Sequence, residues 1–317
     1  MFDTCSGKER RNYLRRLAAL EKSAERYKVT GHRPVKGLLK GFLKSLKGWT
    51  ARRPRSAPIS GGNAVPLFDR GTVRDREESY FSPHRIAVYT ALFGPYDAFR
   101  EPWICPDNID YYVLTDQEVP EGSAWKKRDL DDSCVIRQLP DADAAGFPES
   151  VLKNRFCKMF PHLIFPEYEQ SVYLDTNILI CSDLTALTRG LQPGSPSVFM
   201  FRHKKRDCVY DEIEACIVQR KASPERLRKE KEAIRQLGIP EHWGLLEAPL
   251  IVRRHRDEAC RRLMEAWWRE FLAGSGRDQP ALIRALKREG LTPGNIGSLG
   301  RNLRRCSLFV QMEHQKR

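Results

Sequence analysis

The residues best suited to chemistry interrupt a buried run in the segment SVYLDTNILI. Asp175 and Asn177 lie within ten otherwise mostly apolar residues, and buried polar groups cost desolvation energy unless something pairs with them. Carboxylate and amide oxygens at the end of a strand suit Mg²⁺ or Mn²⁺, which keeps several waters, bridges substrate phosphates and needs only one or two protein carboxylates. The alternative is an Asx turn that joins two strands.

Charged side chains on predicted helices offer partners for such a site. KNRFCKMFPH places Arg155 and Lys158 just before the segment, where cations can face a diphosphate; a solvated helix face is the alternative. Asp278 and Gln279 open a helix in RDQPALIRAL, and Glu247 lies in GLLEAPLIVRR. For Asp278, a helix cap is the alternative explanation.

Polar residues also follow three other apolar runs. VYTALFGPYD brings Thr90 and Tyr96 to the end of a strand, YYVLTD does the same for Asp116, and VFMFRHKKRDCVYDE ends in His203 and Arg206. Ligands of open parallel sheets bind beyond the carboxyl ends of the strands. We therefore expect these side chains to collect at one edge of a sheet.

Alternating strands and helices would position these residues. Apolar runs predict strands at 86–93, 109–115, 134–139, 171–175, 178–180, 197–202 and 250–253. A spacing near 3.6 residues predicts helices at 149–164, 208–221, 223–238, 257–272 and 277–290. Strands separated by helices favour an α/β fold, with a mainly parallel mixed sheet flanked by helices.

The first quarter of the chain differs from the remainder in charge. The 317 residues have a net charge of +14, but residues 1–85 hold 20 basic and 8 acidic side chains, whereas residues 86–317 hold 35 and 33. Basic helices are predicted at 9–28 and 36–49, and a linker rich in Pro, Arg, Gly and Ser follows at 50–84. We expect a basic extension over residues 1–84 and one domain over residues 85–317.

The predicted helix at 36–49 is amphipathic. Lysines line one side and Leu, Phe and Trp the other, a pattern that favours binding to an anionic membrane surface; packing of the same face on the main domain is the alternative. The sequence shows no secretory signal, no stretch of roughly 18 apolar residues and no C-x-x-C pair among nine cysteines. We expect a cytoplasmic protein that this helix would bring to the inner face of the membrane.

Several common motifs are missing from the sequence. It contains no G-x-x-x-x-G-K-[ST], G-x-G-x-x-G, G-x-S-x-G or H-E-x-x-H, which argues against P-loop, dinucleotide, esterase and zincin chemistry. A basic nucleic-acid-binding protein is an alternative, but the nearly neutral second part has no recognised binding motif. A phosphorylated donor held by a divalent metal remains, and we expect no nucleic acid partner.

The motifs along residues 86–290 resemble a known family when taken in order. VYTALFGPYD, YYVLTD, VLKNRFCKMFPHLIFPEYEQSVYLDTNILICSDLTAL, FRHKKRDCVYDE, GLLEAPLIVRRH and RDQ resemble GT-A nucleotide-sugar glycosyltransferases. More specifically, they resemble the glycosyltransferase-like family of bacteria and land plants that includes the plant mucilage-related xylan enzymes. The resemblance implies one GT-A domain that transfers a sugar from a nucleoside diphosphate sugar to a hydroxyl of a glycan or lipid-linked acceptor.

The resemblance also implies how the site is divided. Donor-binding positions are implied for Thr90, Tyr96, Asp116, Arg155, Lys158, His203, Arg206 and Gln279. Asp175 and Asn177 occupy the Asp-x-Asp positions that bind Mn²⁺ or Mg²⁺, and asparagine removes one negative charge from that site. A third metal ligand would come from His203, His255 or His314.

Two carboxylates are the candidates for catalysis. Asp278 is similar to the aspartate that lies near the anomeric carbon in retaining GT-A families, and Glu247 is a second candidate beside the acceptor. Inversion would require one of them as a base, and the sequence leaves inversion and retention open. Hydrolysis remains a rival, because one plant member of the resembling family is described as a ceramidase.

Overall fold

The computed structural model describes residues 85–313 except 96, 99, 131–145 and 189. The extension over residues 1–84, with its helices at 9–28 and 36–49 and its linker, lies outside the described residues. So do Tyr96, His314 and the strand predicted at 134–139. These stay predictions of the sequence.

Strands and helices alternate through the described part of the chain. The strands are β1 (Ile86–Leu92), β2 (Ile109–Thr115), β3 (Lys126–Lys127), β4 (Gln170–Leu174), β5 (Ile178–Ile180), β6 (Val198–Arg202), β7 (Leu246–Arg254), β8 (Gly297–Ser298) and β9 (Phe309–Gln311). The helices are α1 (Glu149–Met159), α2 (Pro161–Ile164), α3 (Thr185–Thr188), α4 (Val209–Val218), α5 (Pro224–Gln236), α6 (Glu258–Ala273) and α7 (Asp278–Arg288), with 3-10 turns at Pro293–Asn295 and Leu303–Arg305. None of these helices has the length and apolar character needed to cross a bilayer.

Seven of the strands form one mixed sheet in the order β3-β2-β1-β4-β7-β6-β8. All neighbours are parallel except β7, which is antiparallel to both β4 and β6. β5 and β9 form a separate antiparallel pair. The structure confirms the predicted α/β fold with a mainly parallel mixed sheet.

Strand β1 shows why both faces of the sheet are covered. All seven of its residues are buried, as expected for a strand between two parallel neighbours. Tyr89 joins a core cluster that includes Phe156 of α1 and Trp267 of α6. Val88 joins a second cluster with Ile180 of β5 on the other face.

Two elements differ from their predicted bounds. The helix predicted at 149–164 is interrupted before Pro161, because proline disfavours helical geometry in the residue that precedes it; α1 ends at Met159 and α2 begins at Pro161. Strand β7 begins at Leu246 rather than at 250. Its first half contains Pro249, which hides the strand pattern, and its pairing with β6 shifts register at Met200–Phe201.

The strand directions define two edges of the main sheet. Strands β1, β2 and β4 are parallel to one another. Strand β6 has the same direction, because β4 and β6 are both antiparallel to β7. These four strands therefore end at one edge, where β7 begins. We call this the carboxyl edge and the opposite one the amino edge. Asp116, Asp175, His203 and Glu247 all belong to the carboxyl edge.

Candidate active site

An ion-pair cluster joins three distant parts of the chain at the carboxyl edge. Lys158 of α1 places Nζ 2.8 Å from Asp278 Oδ2 and 3.4 Å from Asp175 Oδ1. Arg155 Nε lies 2.7 Å from Asp278 Oδ1. The Lys158 side chain is 1% exposed and that of Asp278 10%, so the ion pair between these two residues is shielded from water and strong. The structure thus brings together the predicted metal motif, the predicted basic helix and the predicted catalytic aspartate.

Tyr173 holds the Asp175 carboxylate through a hydrogen bond. Its hydroxyl donates to Asp175 Oδ1 at 2.9 Å, and Lys158 Nζ lies 5.0 Å from the centre of its ring. The Asp175 side chain nevertheless remains 34% exposed. One of its oxygens is therefore held by the protein while the carboxylate still faces the solvent.

The surroundings of Asp278 hold it in its ionised form. Burial alone would raise the pKa of its carboxyl, but the nearby charges of Arg155 and Lys158 outweigh burial and hold the pKa well below its ordinary value. A carboxylate with a depressed pKa is a poor proton acceptor. The arrangement is compatible with a carboxylate that acts by its charge.

The start of α7 differs from the expectation of a helix cap. Arg277 is the N-cap residue, and no side chain caps the helix; the Asp278 carboxylate is engaged by Lys158 and Arg155 instead. The indole of Trp267 donates to the Asp278 carbonyl at 3.0 Å. The helix end is thereby fixed to α6.

The turn Asp175–Asn177 is held by backbone and side-chain hydrogen bonds. Asp175 N donates to Pro249 O at 2.8 Å, and Arg100 Nη1 donates to Thr176 O at 2.6 Å. The Asn177 side-chain amide donates to Met312 O at 3.2 Å, and Met312 N donates to Asn177 O at 2.7 Å. The segment that follows β9 therefore secures the motif.

A second polar group surrounds His203 at the end of β6. Its Nδ1 accepts from Arg206 N at 2.9 Å, so the neutral ring carries its proton on Nε2. That atom lies 3.6 Å from Glu212 Oε2 and 4.0 Å from Glu247 Oε1. Burial lowers the pKa of His203 despite these two carboxylates. Arg206 contacts Glu212 through Nε at 2.6 Å, and Glu247 Oε1 accepts from Lys204 N at 3.3 Å.

The other predicted donor-binding residues lie in different surroundings. Thr90 is buried on β1, and its hydroxyl has no hydrogen-bond partner among the described residues; the same holds for Gln279 Oε1. Asp116 is exposed and accepts from Gly94 N at 2.9 Å, which shapes the turn after β1. Contact of these residues with a nucleotide stays a prediction.

His255 does not lie beside the predicted metal motif. It follows the end of β7 at the amino edge, and its Nε2 lies 3.1 Å from Phe165 O in a fully buried position. The suggestion that His255 supplies a third metal ligand next to Asp175 is therefore wrong. Its position follows from the antiparallel direction of β7, which the sequence did not reveal.

Two residues of the site were missed by sequence reasoning. Tyr173 looks like an ordinary strand residue in SVYLD, yet it binds Asp175. Arg277 precedes Asp278, and its Nε is buried without a hydrogen-bond partner in the described part of the chain. It also has no carboxylate within ion-pair distance there, unlike Arg155 and Lys158. The only available signal was its place in the RDQ motif.

The oxygen atoms of Asp175 and Asn177 fit a divalent ion whose other ligands come from a substrate and from water. In the described residues, no group of three or more His, Cys, Asp and Glu side chains is arranged to hold a metal. Asp175 offers a partly exposed carboxylate and Asn177 an amide. Mg²⁺ and Mn²⁺ ions that bind substrate phosphates typically have one or two protein carboxylates and several waters as their other ligands. Asp175 and Asn177 are compatible with such an ion.

The sequence model of the TOD1/MUCI70 glycosyltransferase-like domain matches residues 68–297. This chain belongs to that family. The match includes the predicted metal motif, the basic helix α1, Glu247 and the RDQ motif, and it confirms the resemblance drawn from these segments. The protein is a glycosyltransferase.

Solved glycosyltransferase structures are more distantly similar to this TOD1/MUCI70 family member. Mouse xyloside xylosyltransferase 1 matches with 14% identity and a TM-score of 0.39, over 68% of this chain and 84% of that one. The mannosyltransferase Ktr4p of S. cerevisiae matches with 10% identity and a TM-score of 0.37, over 73% and 71%. The bifunctional glycosyltransferase WbbM matches with 11% identity and a TM-score of 0.40; 71% of this chain spans 40% of WbbM. No curated protein sequence matches the chain.

Proposed function

We propose that this glycosyltransferase transfers a sugar from a nucleoside diphosphate donor to a hydroxyl of a glycan or lipid-linked acceptor. The observation that supports this most is the contact of Lys158 with both Asp175 and Asp278, which brings the proposed metal motif, the cations and an ionised carboxylate together at the carboxyl edge. In the reaction the bond from the anomeric carbon to the diphosphate breaks and the bond to the acceptor oxygen forms. The acceptor proton leaves, and the nucleoside diphosphate departs.

Charge stabilisation is the main contribution of the cluster. Arg155, Lys158 and Arg277 would face the negative charge that develops on the departing diphosphate, which is the usual source of catalysis when little covalent help is needed. Of these three cations, Arg277 alone has no carboxylate within ion-pair distance among the described residues, unlike Arg155 and Lys158, so it would act on the diphosphate without first leaving an ion pair. Asp278, held ionised, would stabilise positive charge at the anomeric carbon.

Asp175 and Asn177 would hold Mn²⁺ or Mg²⁺. When bound, such an ion neutralises charge on the diphosphate as a Lewis acid. The chain's own part is to fix the two side chains: Tyr173 positions Asp175, and Met312 positions Asn177.

Glu247 is the better candidate for an acceptor base if the reaction inverts the anomeric centre. It lies at the carboxyl edge beside His203, whereas the Asp278 carboxylate is occupied by two cations. A base must be free to take a proton from the attacking hydroxyl. Glu247 then removes that proton, and the backbone N–H of Lys204 keeps the carboxylate oriented.

Calorimetry with UDP and GDP tests the donor site. We expect one of the two nucleotides to bind the full chain more tightly with Mn²⁺ than without it. Asp175→Asn, which keeps the shape and removes the charge, should abolish the metal-dependent part of the affinity. Exposed Glu265 of α6 provides the matched control Glu265→Gln, which should bind like the unaltered protein. If neither nucleotide binds with or without metal, the proposal is wrong.

The role of Glu247 has its own measurement. Glu247→Gln should leave nucleotide affinity unchanged and lower the turnover of donor by about 100-fold or more if the carboxylate is a general base. Turnover is followed as release of the nucleoside diphosphate. An unchanged turnover would exclude Glu247 as a base.

A further inference from the structure

Cations without carboxylate partners collect next to the acceptor end of the site. Strands β6 and β8 are parallel, and their pairing continues to Gly300, whose carbonyl accepts from Arg202 N at 2.9 Å. The segments that follow the two strands therefore leave the sheet together at the carboxyl edge. They contribute the group that we call the basic rim: Lys204, Lys205, Arg301 and Arg304.

The basic rim is not neutralised by the described part of the protein. No carboxylate there lies within ion-pair distance of a rim side chain, whereas Arg206, between the rim and α4, is paired with Glu212. Lys205, Arg301 and Arg304 are exposed, and Lys204 is half-buried. The rim thus presents net positive charge to the solvent.

Lys204 links the rim to the proposed acceptor base. Its backbone N–H donates to Glu247 Oε1 at 3.3 Å. Burial lowers the pKa of Lys204, and the charges of Arg304 and Lys205 lower it further against the opposing effect of Glu247. Because the segments that follow β6 and β8 leave the sheet side by side, an anion that bound among these cations would relieve the repulsion between like charges.

The surroundings of the rim favour a glycan over a lipid surface as the source of the anion. Among the described residues, Val218 is the one large apolar side chain that is well exposed, and it lies at the far end of α4. A protein surface that binds a membrane interface combines cations with apolar side chains that insert into it. The rim offers cations and hydrogen-bond donors alone.

We propose that the acceptor is an acidic glycan whose carboxylate or phosphate groups bind Lys204, Lys205 and Arg304. The hydroxyl that receives the sugar then reaches Glu247, whose Oε1 accepts from the backbone N–H of Lys204. This inference rests on the proposed glycosyl transfer and adds the charge of the acceptor to it. Exposed charge pairs are individually weak, so the three cations act together.

Binding of size-matched oligosaccharides to the full chain tests the proposal. The probes are hexagalacturonate, a phosphorylated hexasaccharide and neutral maltohexaose, which separate carboxylate, phosphate and sugar contributions. We expect at least one acidic probe to bind at least about tenfold more tightly than maltohexaose, with an affinity that falls as salt is added. The triple variant Lys204→Ala/Lys205→Ala/Arg304→Ala should lose about tenfold in affinity for that probe.

A matched control removes the same charge elsewhere. Lys221→Ala/Arg228→Ala/Lys287→Ala changes three exposed cations on other parts of the fold and should keep the affinity for the acidic probe. Equal losses in the two triple variants, or equal binding of acidic and neutral probes, would overturn the proposal. The proposal would also be overturned if phosphatidylglycerol vesicles bound the protein through the rim and neither acidic oligosaccharide did, which would point to a lipid surface.

Nucleotide binding in the same samples separates this proposal from the one on which it rests. If UDP or GDP binds and the acidic probes show no preference, the acceptor inference alone is wrong. If neither nucleotide binds, the glycosyl-transfer proposal fails.

Discussion

Asp278 neutralises two cations in a place that water hardly reaches. Lys158 and Arg155 approach different oxygens of the same carboxylate. If that carboxylate were removed, Arg155 would lose its ion-pair partner and Lys158 would keep only its longer contact with Asp175. Breaking a buried pair by removing one partner is costly because the other charge remains without compensation. The same residue therefore serves stability and, in the proposed reaction, catalysis.

We predict that Asp278→Asn lowers the free energy of unfolding by about 3–5 kcal/mol and abolishes sugar transfer. The pKa of Asp278 lies below its value in the unfolded chain, so its stabilising effect is complete above the unfolded pKa of about 4 and is lost as the pH falls through the lower folded value. Urea unfolding at neutral and at acidic pH measures the loss of stability and its pH dependence, and release of the nucleoside diphosphate measures the loss of transfer.

The control for this variant is Glu265→Gln on the exposed side of α6, which should change the free energy of unfolding by less than about 0.5 kcal/mol. A variant Asp278→Asn as stable as the unaltered protein at neutral pH would contradict the ion-pair arrangement.

The element that places Asp278 is the short connection between α6 and α7. Glu230 of α5 accepts from Ser275 N at 3.1 Å and lies 3.4 Å from Arg284 Nη2. Gly276 has φ of +76°, and a Cβ there would lie 2.5 Å from Phe147 Cε1. The connection is thus held by a buried ion pair on one side and an aromatic ring on the other.

We predict that Gly276→Ala destabilises the protein by about 1–3 kcal/mol more than Gly290→Ala. Both glycines have positive φ, at +76° and +68°, so the backbone strain is matched, but a Cβ at Gly290 meets nothing within 4 Å. Thermal unfolding of the two variants measures the difference. Similar melting temperatures would show that Phe147 yields without cost.

Activity should follow the same order. Gly276→Ala should move the start of α7 and the Asp278 carboxylate with it, so we expect a lower donor turnover per folded protein. Gly290→Ala, at the other end of α7, should keep the turnover of the unaltered protein. Donor turnover of the folded variants checks this.

At the level of elements, most of the sheet could be predicted and the ion-pair cluster could not. Apolar runs predicted β1 and β2 because buried parallel strands have few polar residues. The placement of Asp175, Asp116 and His203 at the same edge follows from strand direction. The contact of Lys158 with Asp278 depends on how α1 and α7 pack across 120 residues of sequence, and periodicity carries no such information.

At the scale of the whole molecule, the two edges of the main sheet have different roles. The carboxyl edge gathers the candidate active site, and the amino edge is tied together by Asp110 of β2. This buried carboxylate accepts from Arg85 Nε at 2.5 Å, Lys126 Nζ at 3.1 Å and the Tyr168 hydroxyl at 2.8 Å. It thus connects the starts of β1, β3 and the loop before β4.

We predict that Asp110→Asn lowers the free energy of unfolding by about 1–3 kcal/mol at neutral pH without changing nucleotide affinity. Hydrogen bonding to Arg85 holds the pKa of Asp110 well below its ordinary range, so the difference from the unaltered protein should shrink as the pH falls below about 4. Urea unfolding across this pH range checks the prediction. A constant difference at every pH would contradict it.

The pairing of β5 with β9 has a consequence for how the enzyme loses activity. The pair contains three residues on each side, and it secures Asn177 through Met312. Short peripheral pairs open locally with a smaller free energy than the whole fold. We expect the amide protons of Cys181 and Met312 to exchange with deuterium well before those of β1, and heating to inactivate the enzyme several degrees below its melting temperature. Equal exchange at both places would show that the motif opens only when the whole domain does.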